Sequence, residues 1–229
     1  PCVYGDPAWA TDVVLFGDSH AAQWFPALQQ IAEAHHWRLE VLTKKGCPTA
    51  DIRIVKRQLD GECIRWRATV AQRLSVEHPA LIVMSAYRYD LAGSARNLDP
   101  DAAWRAGLDA TLQALRPTAR QVLVLGDTPT PATNTPACVA SHLRTVDHCV
   151  ATRARAVKPL RLAVEQDEAR IHDAAFAATS DWLCTQTTCP VILGDVLLYR
   201  DNSHLTTTAS LLLAPYLDAT LTPLLGNTS

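Results

Sequence analysis

Ser19 lies in the sequence "GDSH" (17–20), directly after the apolar run "VVLF". Near the other end of the chain, Asp201 precedes His204 by three residues in "YRDNSHLT". A serine becomes a nucleophile when a histidine accepts its proton and a carboxylate holds that histidine in the right tautomer. Ser19, His204 and Asp201 are therefore the candidate nucleophile, base and orienting acid.

Each half of this pattern also has a plain structural interpretation. A serine or aspartate at the start of a helix commonly caps it, and a lone Asp-x-x-His is typical of a helix start with a surface histidine. Only the combination favours nucleophilic catalysis. We expect Asp18 to hold the turn by hydrogen bonds. His20 is expected to orient the loop or to contact substrate, and a structural histidine with satisfied hydrogen bonds fits equally well.

The runs between these motifs predict the elements that must position them. Continuous apolar segments predict buried parallel strands at 12–17, 38–43, 80–86 and 120–126, and a fifth within 189–199. Helical spacing predicts helices over 20–36, 62–76 and 100–115, a long helical pattern from 145 to 178 that breaks at Pro159, and a last helix from about Leu205. This alternation predicts an α/β fold, a three-layer α/β/α sandwich with a parallel sheet of about five strands.

In such a sheet, ligands bind beyond the carboxyl ends of the strands, where Ser19 is expected.

The 229 residues, 48% hydrophobic and 19% charged, fit one globular domain over 1–229. A formal net charge of −2 argues against a nucleic-acid partner, and no apolar stretch reaches the roughly 20 residues of a membrane span. Because the chain begins at Pro1 with neither a Met nor a signal peptide, we expect it to be part of a longer protein.

Six of the seven cysteines form pairs that are close in sequence: Cys47/Cys63, Cys138/Cys149 and Cys184/Cys189, with Cys2 left over. This spacing predicts disulfides, and hence an oxidising, extracytoplasmic setting. Zinc is the rival interpretation, but the chain has no C-x-x-C motif. The sequence does not fix the connectivity, and Cys2 is free to pair with a cysteine upstream. We expect neither a metal nor a cofactor.

With "GDSH" near its start and "DNSHL" near its end, the chain resembles the SGNH (GDSL-like) hydrolase superfamily. The histidine after the serine, the continuation "AAQW" and the local cysteine pairs make it similar to the extracytoplasmic SGNH domain fused to bacterial acyltransferase-3 membrane proteins. The resemblance extends from Val13 to the last helix. It implies the SGNH hydrolase fold with a flavodoxin-like sheet, a Ser19–His204–Asp201 triad, and a single catalytic domain that belongs to a longer membrane protein.

The resemblance also implies three oxyanion donors: the N–H of Ser19, a glycine after the second strand, for which Gly46 is the candidate, and an asparagine after the third. Where the superfamily has Gly-x-Asn-Asp, this chain reads "SAYR" (85–88), so the asparagine is missing. Arg88 is the candidate replacement, and His20, Tyr87 and Arg88 are candidate substrate-binding residues. Gly46 also fits a simple turn glycine, and Arg88 a structural ion-pair partner. Losing one oxyanion donor typically slows a reaction by about 10²–10³, which disfavours a fast generic esterase.

The resemblance implies an extracytoplasmic O-acyltransferase, in particular an O-acetyltransferase, tethered to the membrane in the full-length protein. An N-terminal acyltransferase-3 membrane domain of the same polypeptide would deliver the acyl group through the membrane to Ser19. A hydroxyl of a cell-envelope glycan or glycolipid would accept it. The same triad suits a carbohydrate acetyl esterase or a lipase-type hydrolase, and the fold without a working triad suits a glycan-binding module.

Two other enzyme classes fit the sequence less well. Asp18-x-His20 matches the opening of a metallophosphatase, but the further Gly-Asn-His and Gly-His-x-His ligand motifs are missing. Gly17-x-Ser19-x-Ala21 approximates the nucleophile elbow of an α/β-hydrolase. That fold places its serine after several strands and its acid farther from its histidine.

Overall fold

A six-stranded sheet forms the centre of the molecule in a computed structural model, which describes residues 2–6, 8–54, 57–87, 89 and 99–226, without the side chains of 57 and 58. The spatial order is β1 (Cys2–Tyr4), β3 (Trp37–Thr43), β2 (Thr11–Gly17), β4 (Leu81–Ser85), β5 (Gln121–Leu125) and β7 (Ala175–Ala177). Two antiparallel pairs lie outside this sheet. They are β6 (Ala151–Thr152) with β8 (Thr188–Cys189), and β9 (Ile192–Leu193) with β10 (Val196–Leu197).

The strands from β3 to β7 are parallel, and β1 joins the edge of the sheet antiparallel to β3. Without β1, the order is second, first, third, fourth, fifth strand along the chain, which is the flavodoxin-like arrangement. The predicted fold class is therefore confirmed. The antiparallel edge strand β1 was not predicted.

The prediction of a fifth strand within 189–199 was wrong. That segment turns back on itself at Gly194, whose φ of +58° lies in the left-handed region, and forms the β9–β10 hairpin. The fifth parallel strand is β7, whose sequence "AFA" is too short to form a recognisable apolar run.

The helices cover both faces of the sheet: α1 (Ser19–Ala22), α2 (Phe25–His35), α3 (Arg57–Glu77), α4 (Pro100–Leu115), α5 (Thr135–Ser141), α6 (Arg153–Ala156), α7 (Pro159–Ile171), α8 (Ser180–Leu183), α9 (Thr207–Leu212) and α10 (Ala214–Leu225). The pattern predicted over 20–36 divides into α1 and α2, because Pro26 in the first turn of α2 has no N–H to continue the hydrogen-bond ladder. The predicted break at Pro159 is confirmed, since this proline begins α7. The long helical pattern predicted from 145 to 178 was wrong in part, because β6 and β7 lie within it.

The side chains of alternate residues of β2 pack into two separate apolar cores. Val13 and Leu15 belong to the core that α2 and α10 cover, whereas Val14 and Phe16 belong to the core beneath α3 and α4. All four side chains are buried. The continuous apolar run that predicted β2 therefore reflects burial on both faces of the sheet.

The three predicted disulfides are present: Cys47–Cys63, Cys138–Cys149 and Cys184–Cys189. The first fastens the loop after β3 to α3, and the third joins the end of α8 to β8. Cys2 is exposed and forms no disulfide with the cysteines that the structure describes. Within the described ranges, none of the helices has the length and hydrophobicity needed to span a bilayer.

Candidate active site

The fold brings Ser19, His204 and Asp201 together, although 185 residues separate the serine from the histidine. Ser19 Oγ lies 2.9 Å from His204 Nε2, and His204 Nδ1 lies 2.8 Å from Asp201 Oδ2. A hydroxyl, an imidazole and a carboxylate thus form one continuous hydrogen-bonded chain. This is the order in which a histidine can accept the serine proton while the carboxylate holds its opposite nitrogen.

Ser19 is placed by a sharp exit from β2 that only glycine permits. Gly17 has a φ of +148°, and a Cβ on it would lie 2.0 Å from the carbonyl oxygen of Ser85. Asp18 then caps α1, because its Oδ1 accepts a 2.7 Å hydrogen bond from the N–H of His20. The cap of this helix is therefore Asp18, and the hydroxyl of Ser19 faces His204 instead.

His204 is held by a tight loop in front of α9. Asp201 Oδ1 accepts hydrogen bonds from the backbone N–H groups of Ser203 at 2.8 Å and His204 at 2.7 Å, while Oδ2 faces the imidazole. Burial alone would raise the pKa of Asp201, but the N–H groups of His204 and Ser203 and the His204 ring together hold that pKa below its usual value. Asp201 is therefore a carboxylate at neutral pH.

Asp18 also joins the end of β2 to the end of β4. Its Oδ2 accepts hydrogen bonds from the N–H of Tyr87 at 2.9 Å and from the hydroxyl of Tyr89 at 2.5 Å. Burial is the main reason that the pKa of Asp18 is raised, and these hydrogen bonds only partly oppose it. The contacts agree with the expectation that Asp18 holds the turn.

His20 forms a second histidine–carboxylate pair beside the first. Its side chain is 3% exposed, and its Nδ1 lies 2.6 Å from Asp127 Oδ1. The ring centre of His20 is 4.6 Å from that of His204 and 4.6 Å from that of Tyr87. Burial alone would lower the pKa of His20, but Asp127 opposes it, with smaller contributions from Asp18 and Asp201, and the pKa is raised.

Asp127 and Gln23 are the site residues that the sequence analysis missed. Asp127 follows β5 in "GD", as Asp18 follows β2 in "GD", so the repeated Gly-Asp at two strand ends could have indicated it. Gln23 accepts a hydrogen bond from the N–H of Leu205. No short-range pattern marks Gln23, because its partner is 182 residues away.

The structure describes two of the other predicted site residues, Gly46 and Tyr87, but not Arg88. Gly46 lies in the turn after β3 with a φ of +79°, and the N–H of Lys44 in the same turn donates to the carbonyl of Gly17. This contact places the turn at the same edge of the sheet as Ser19, while the oxyanion role of Gly46 stays a prediction. Tyr87 is half-buried against His20. Arg88, predicted both as an oxyanion donor and as a substrate-binding residue, lies outside the described residues.

Asp127 also lines a cavity of about 40 Å³, together with Tyr87, Thr128, Arg161 and Glu165 among others. Burial raises the pKa of Glu165 to about 8, so this carboxyl is protonated at neutral pH. The site thus borders a second buried ionisable group.

Two clusters of potential metal ligands occur in the described part of the chain, and neither includes the predicted triad. One is Cys138, His142 and Cys149, whose two cysteines form a disulfide and offer no thiolate. The other is Asp109, Glu168 and His172, in which Glu168 is already paired with Arg105 at 2.7 Å.

The chain matches one protein-family model and shares its fold with solved structures. A family model described as "SGNH domain (fused to AT3 domains)" matches residues 1–219. A search of curated proteins found no significant match. The periplasmic domain of the lipopolysaccharide acetyltransferase from Salmonella ser. Paratyphi A has a TM-score of 0.75 at 13% identity, over 92% of this chain and 83% of that chain. The aryl esterase of M. smegmatis has a TM-score of 0.57 at 16% identity, over 94% of this chain and 100% of that chain. At these identities, the two structures show a shared fold.

Proposed function

The chain belongs to the family of SGNH domains that are fused to AT3 domains, and we propose that it is a serine-dependent O-acyltransferase, in particular an O-acetyltransferase. Its proposed acceptor is a hydroxyl of a cell-envelope glycan or glycolipid. The observation that carries this proposal is the hydrogen-bonded chain from Ser19 through His204 to Asp201. A module that only binds glycans needs none of these three groups.

In the first step, His204 Nε2 takes the proton of Ser19 as Oγ attacks the carbonyl carbon of the acyl donor. The new Oγ–C bond forms while the carbonyl electron pair moves onto its oxygen. Asp201 offsets the positive charge that His204 gains. His204 then protonates the leaving group of the donor, which leaves Ser19 acylated.

In the second step, His204 acts as a base for the acceptor. It removes the proton of a sugar hydroxyl, whose oxygen attacks the acyl carbon, and Ser19 Oγ leaves with the proton from His204. The proposed oxyanion donors are the N–H of Ser19, which opens α1 where first-turn N–H groups have no helical partner, together with Gly46 and Arg88.

Three observations support an extracytoplasmic setting. The chain contains three disulfides, its family model describes fusion to AT3 domains, and it shares its fold with a periplasmic domain. We propose that residues 1–229 form one catalytic domain of a longer membrane protein. In this scheme, the membrane domain delivers the acyl group to Ser19, and the glycan approaches from outside.

Hydrolysis is the second candidate function, because the fold is also that of the M. smegmatis aryl esterase. The two activities share the acyl-serine and differ only in whether water or a sugar hydroxyl attacks it. The triad geometry supports both equally, whereas the family's fusion to AT3 domains favours transfer.

The share of acetyl groups transferred to sugar rather than to water distinguishes the acyltransferase from the esterase. The protein is given 4-nitrophenyl acetate with de-O-acetylated envelope oligosaccharides, and acetate and O-acetyl sugar are quantified by mass spectrometry. Transfer predicts O-acetyl sugar that increases with acceptor concentration, is lost in His204→Ala and is kept in His148→Ala, a change of an exposed histidine. Release of acetate alone at every acceptor concentration would favour the esterase.

A further inference from the structure

The end of β4 lacks the side chain that would complete an oxyanion site. The resemblance to the superfamily puts an asparagine at the third residue of Gly-x-Asn-Asp, which is Tyr87 in this chain. The N–H of Tyr87 is engaged by Asp18, and its ring lies against the ring of His20. His20 therefore borders the position of the missing asparagine, and it directly follows Ser19 in the chain.

The neighbours of His20 favour its charged form. Its Nδ1 donates to Asp127 at 2.6 Å, and Asp127 Oδ1 is fixed in turn by the N–H of Thr128 at 2.8 Å. Among the described residues, the titratable groups that face or surround the ring come from four segments: Asp18, Asp127, Asp201, His204, Tyr87 and Tyr89. Three of these are carboxyl groups, so an imidazolium here is offset by negative charge on several sides. The raised pKa of His20 has the same cause.

We propose that His20, held in its charged form by Asp127, adds a positive charge that offsets the oxyanion alongside the proposed donors Gly46, Arg88 and the N–H of Ser19. This inference rests on the proposed function. His20 stays charged throughout the step: Ser19 Oγ bonds to the acyl carbon, the carbonyl electron pair moves onto oxygen, and the proton goes to His204. His20 acts through the field of its charge and requires no contact with the acyl group.

Burial makes such a charge effective. The His20 side chain is 3% exposed, and charges screened by protein rather than water interact several times more strongly than in bulk water. His204 also becomes positive in the same step, and the neighbouring charge of His20 opposes this. Asp201, 2.8 Å from His204, offsets that charge directly, as Asp127 at 2.6 Å offsets part of the charge of His20. The remaining field of His20 acts on the new negative charge of the acyl oxygen.

The test compares wild type, His20→Gln and Asp127→Asn in their rate of acylation by 4-nitrophenyl acetate from pH 5 to 10, with the Ser19→Ala rate subtracted. We expect His20→Gln to lose about tenfold or more in kcat, by analogy with the loss of one oxyanion donor. We expect the wild-type rate to fall at alkaline pH as His20 loses its proton. Asp127→Asn should move this fall to lower pH, because the carboxylate that raises the pKa of His20 is gone.

The matched control is His35→Gln, which removes another histidine–carboxylate pair, His35 with Asp218 at 2.9 Å, between α2 and α10. It should keep the wild-type profile. A loss in His20→Gln smaller than tenfold, or one of the same factor at every pH with the alkaline fall intact, would overturn the proposal. If His20→Gln does not fold, Asp127→Asn decides: an unmoved alkaline fall overturns it.

A readout that needs no turnover separates this inference from the proposed function. In ¹⁵N-histidine-labelled protein, the ring nitrogens of His20 should show the charged imidazolium at pH 7 in wild type, and the neutral form at a lower pH in Asp127→Asn than in wild type. A neutral His20 at pH 7 beside intact Ser19-dependent acylation defeats only this inference. The absence of Ser19-dependent acylation defeats the proposed function, and this inference with it.

Discussion

Gln23 Oε1 accepts a 2.8 Å hydrogen bond from the backbone N–H of Leu205, and both groups are buried. Gln23 ends the short helix that Ser19 begins, and Leu205 directly follows His204. The hydrogen bond therefore ties together the two chain segments whose side chains meet at 2.9 Å between Ser19 Oγ and His204 Nε2. The separation of serine and histidine is set by this backbone contact as well as by the side chains themselves.

Replacing Gln23 by alanine should weaken both stability and acylation. The N–H of Leu205 would be left buried without its partner, which costs about 1–3 kcal/mol, and the loop that carries His204 would lose its tie to α1. We expect a lower free energy of unfolding in urea and a reduced rate of acylation by 4-nitrophenyl acetate. The control is Gln29→Ala, whose amide pairs with Glu33 on an exposed face of α2. Equal stability of the two variants would contradict this account of Gln23.

Gly17→Ala should be among the most damaging single changes in the chain. The new Cβ would lie 2.0 Å from the Ser85 carbonyl oxygen, which is backbone and cannot move aside easily. We expect a loss of more than about 3 kcal/mol or a failure to fold, seen by thermal unfolding followed by circular dichroism. Gly61→Ala is the matched control, because Gly61 lies in α3 with space for a methyl group, and alanine should be neutral or stabilising there. A stable Gly17→Ala would show that the exit from β2 is less constrained than the backbone indicates.

Asp201→Asn should disable the predicted base while keeping the loop. Asparagine can still accept the N–H groups of Ser203 and His204, but its amide would donate to His204 Nδ1 and leave the proton on Nε2, opposite Ser19. We expect acylation to fall by roughly 10³–10⁴, as for orienting carboxylates in serine triads. Asp195→Asn, in the exposed turn between β9 and β10, is the control.

The pKa of Asp201 sets the acid limit of its contribution. Because that pKa is held below its usual value, the carboxylate keeps orienting His204 until the pH falls through the lowered pKa. The ratio of wild-type to Asp201→Asn rates should therefore stay large through mildly acidic pH. A ratio near one at any pH between 5 and 8 would contradict the assignment of Asp201 as the orienting acid.

The buried carboxyl of Glu165 predicts a pH-dependent cost in stability. Its pKa is raised from 4.5 to about 8, so between these pH values the folded protein binds a proton that the unfolded chain does not. The free energy of unfolding should then fall as pH rises through this window, by up to about 1.4 kcal/mol per pH unit. Glu165→Gln cannot titrate, so its stability relative to wild type should rise from pH 5 to pH 8 in urea unfolding. Exposed Glu33→Gln is the control, and parallel curves for wild type and Glu165→Gln would count against the buried carboxyl.

Much of this architecture could be predicted from local sequence because burial leaves a local signature. Strands β2, β4 and β5 contain continuous apolar runs, since both of their faces are covered by helices, whereas Arg38 and Glu40 interrupt the apolar residues of β3. Strand β7 could not be predicted in this way, because it has only three residues, all of intermediate burial, and they form no recognisable apolar run. The 189–199 run was misleading for the opposite reason: it is apolar, but Gly194 reverses it into a hairpin.

The predicted triad was recognisable because its residues sit at strand and helix ends with a familiar spacing. Gln23 was not, because it acts through Leu205, 182 residues away, and has no local pattern of its own. Asp127 acts through His20, 107 residues away, and its local signal is the Gly-Asp pair that follows β5. Only the sheet order, which places the ends of β2 and β4 side by side and that of β5 next to β4, brings His20 and Asp127 within reach.

The most direct test of the central claim is the mass of the intact protein after a short incubation with 4-nitrophenyl acetate. We expect one acetyl adduct, mapped to Ser19 by peptide sequencing, in wild type and in His35→Gln. We expect no adduct in Ser19→Ala or His204→Ala, and circular dichroism should show that both variants remain folded. An adduct of equal yield in wild type and Ser19→Ala, or an adduct mapped to another residue, would contradict the account.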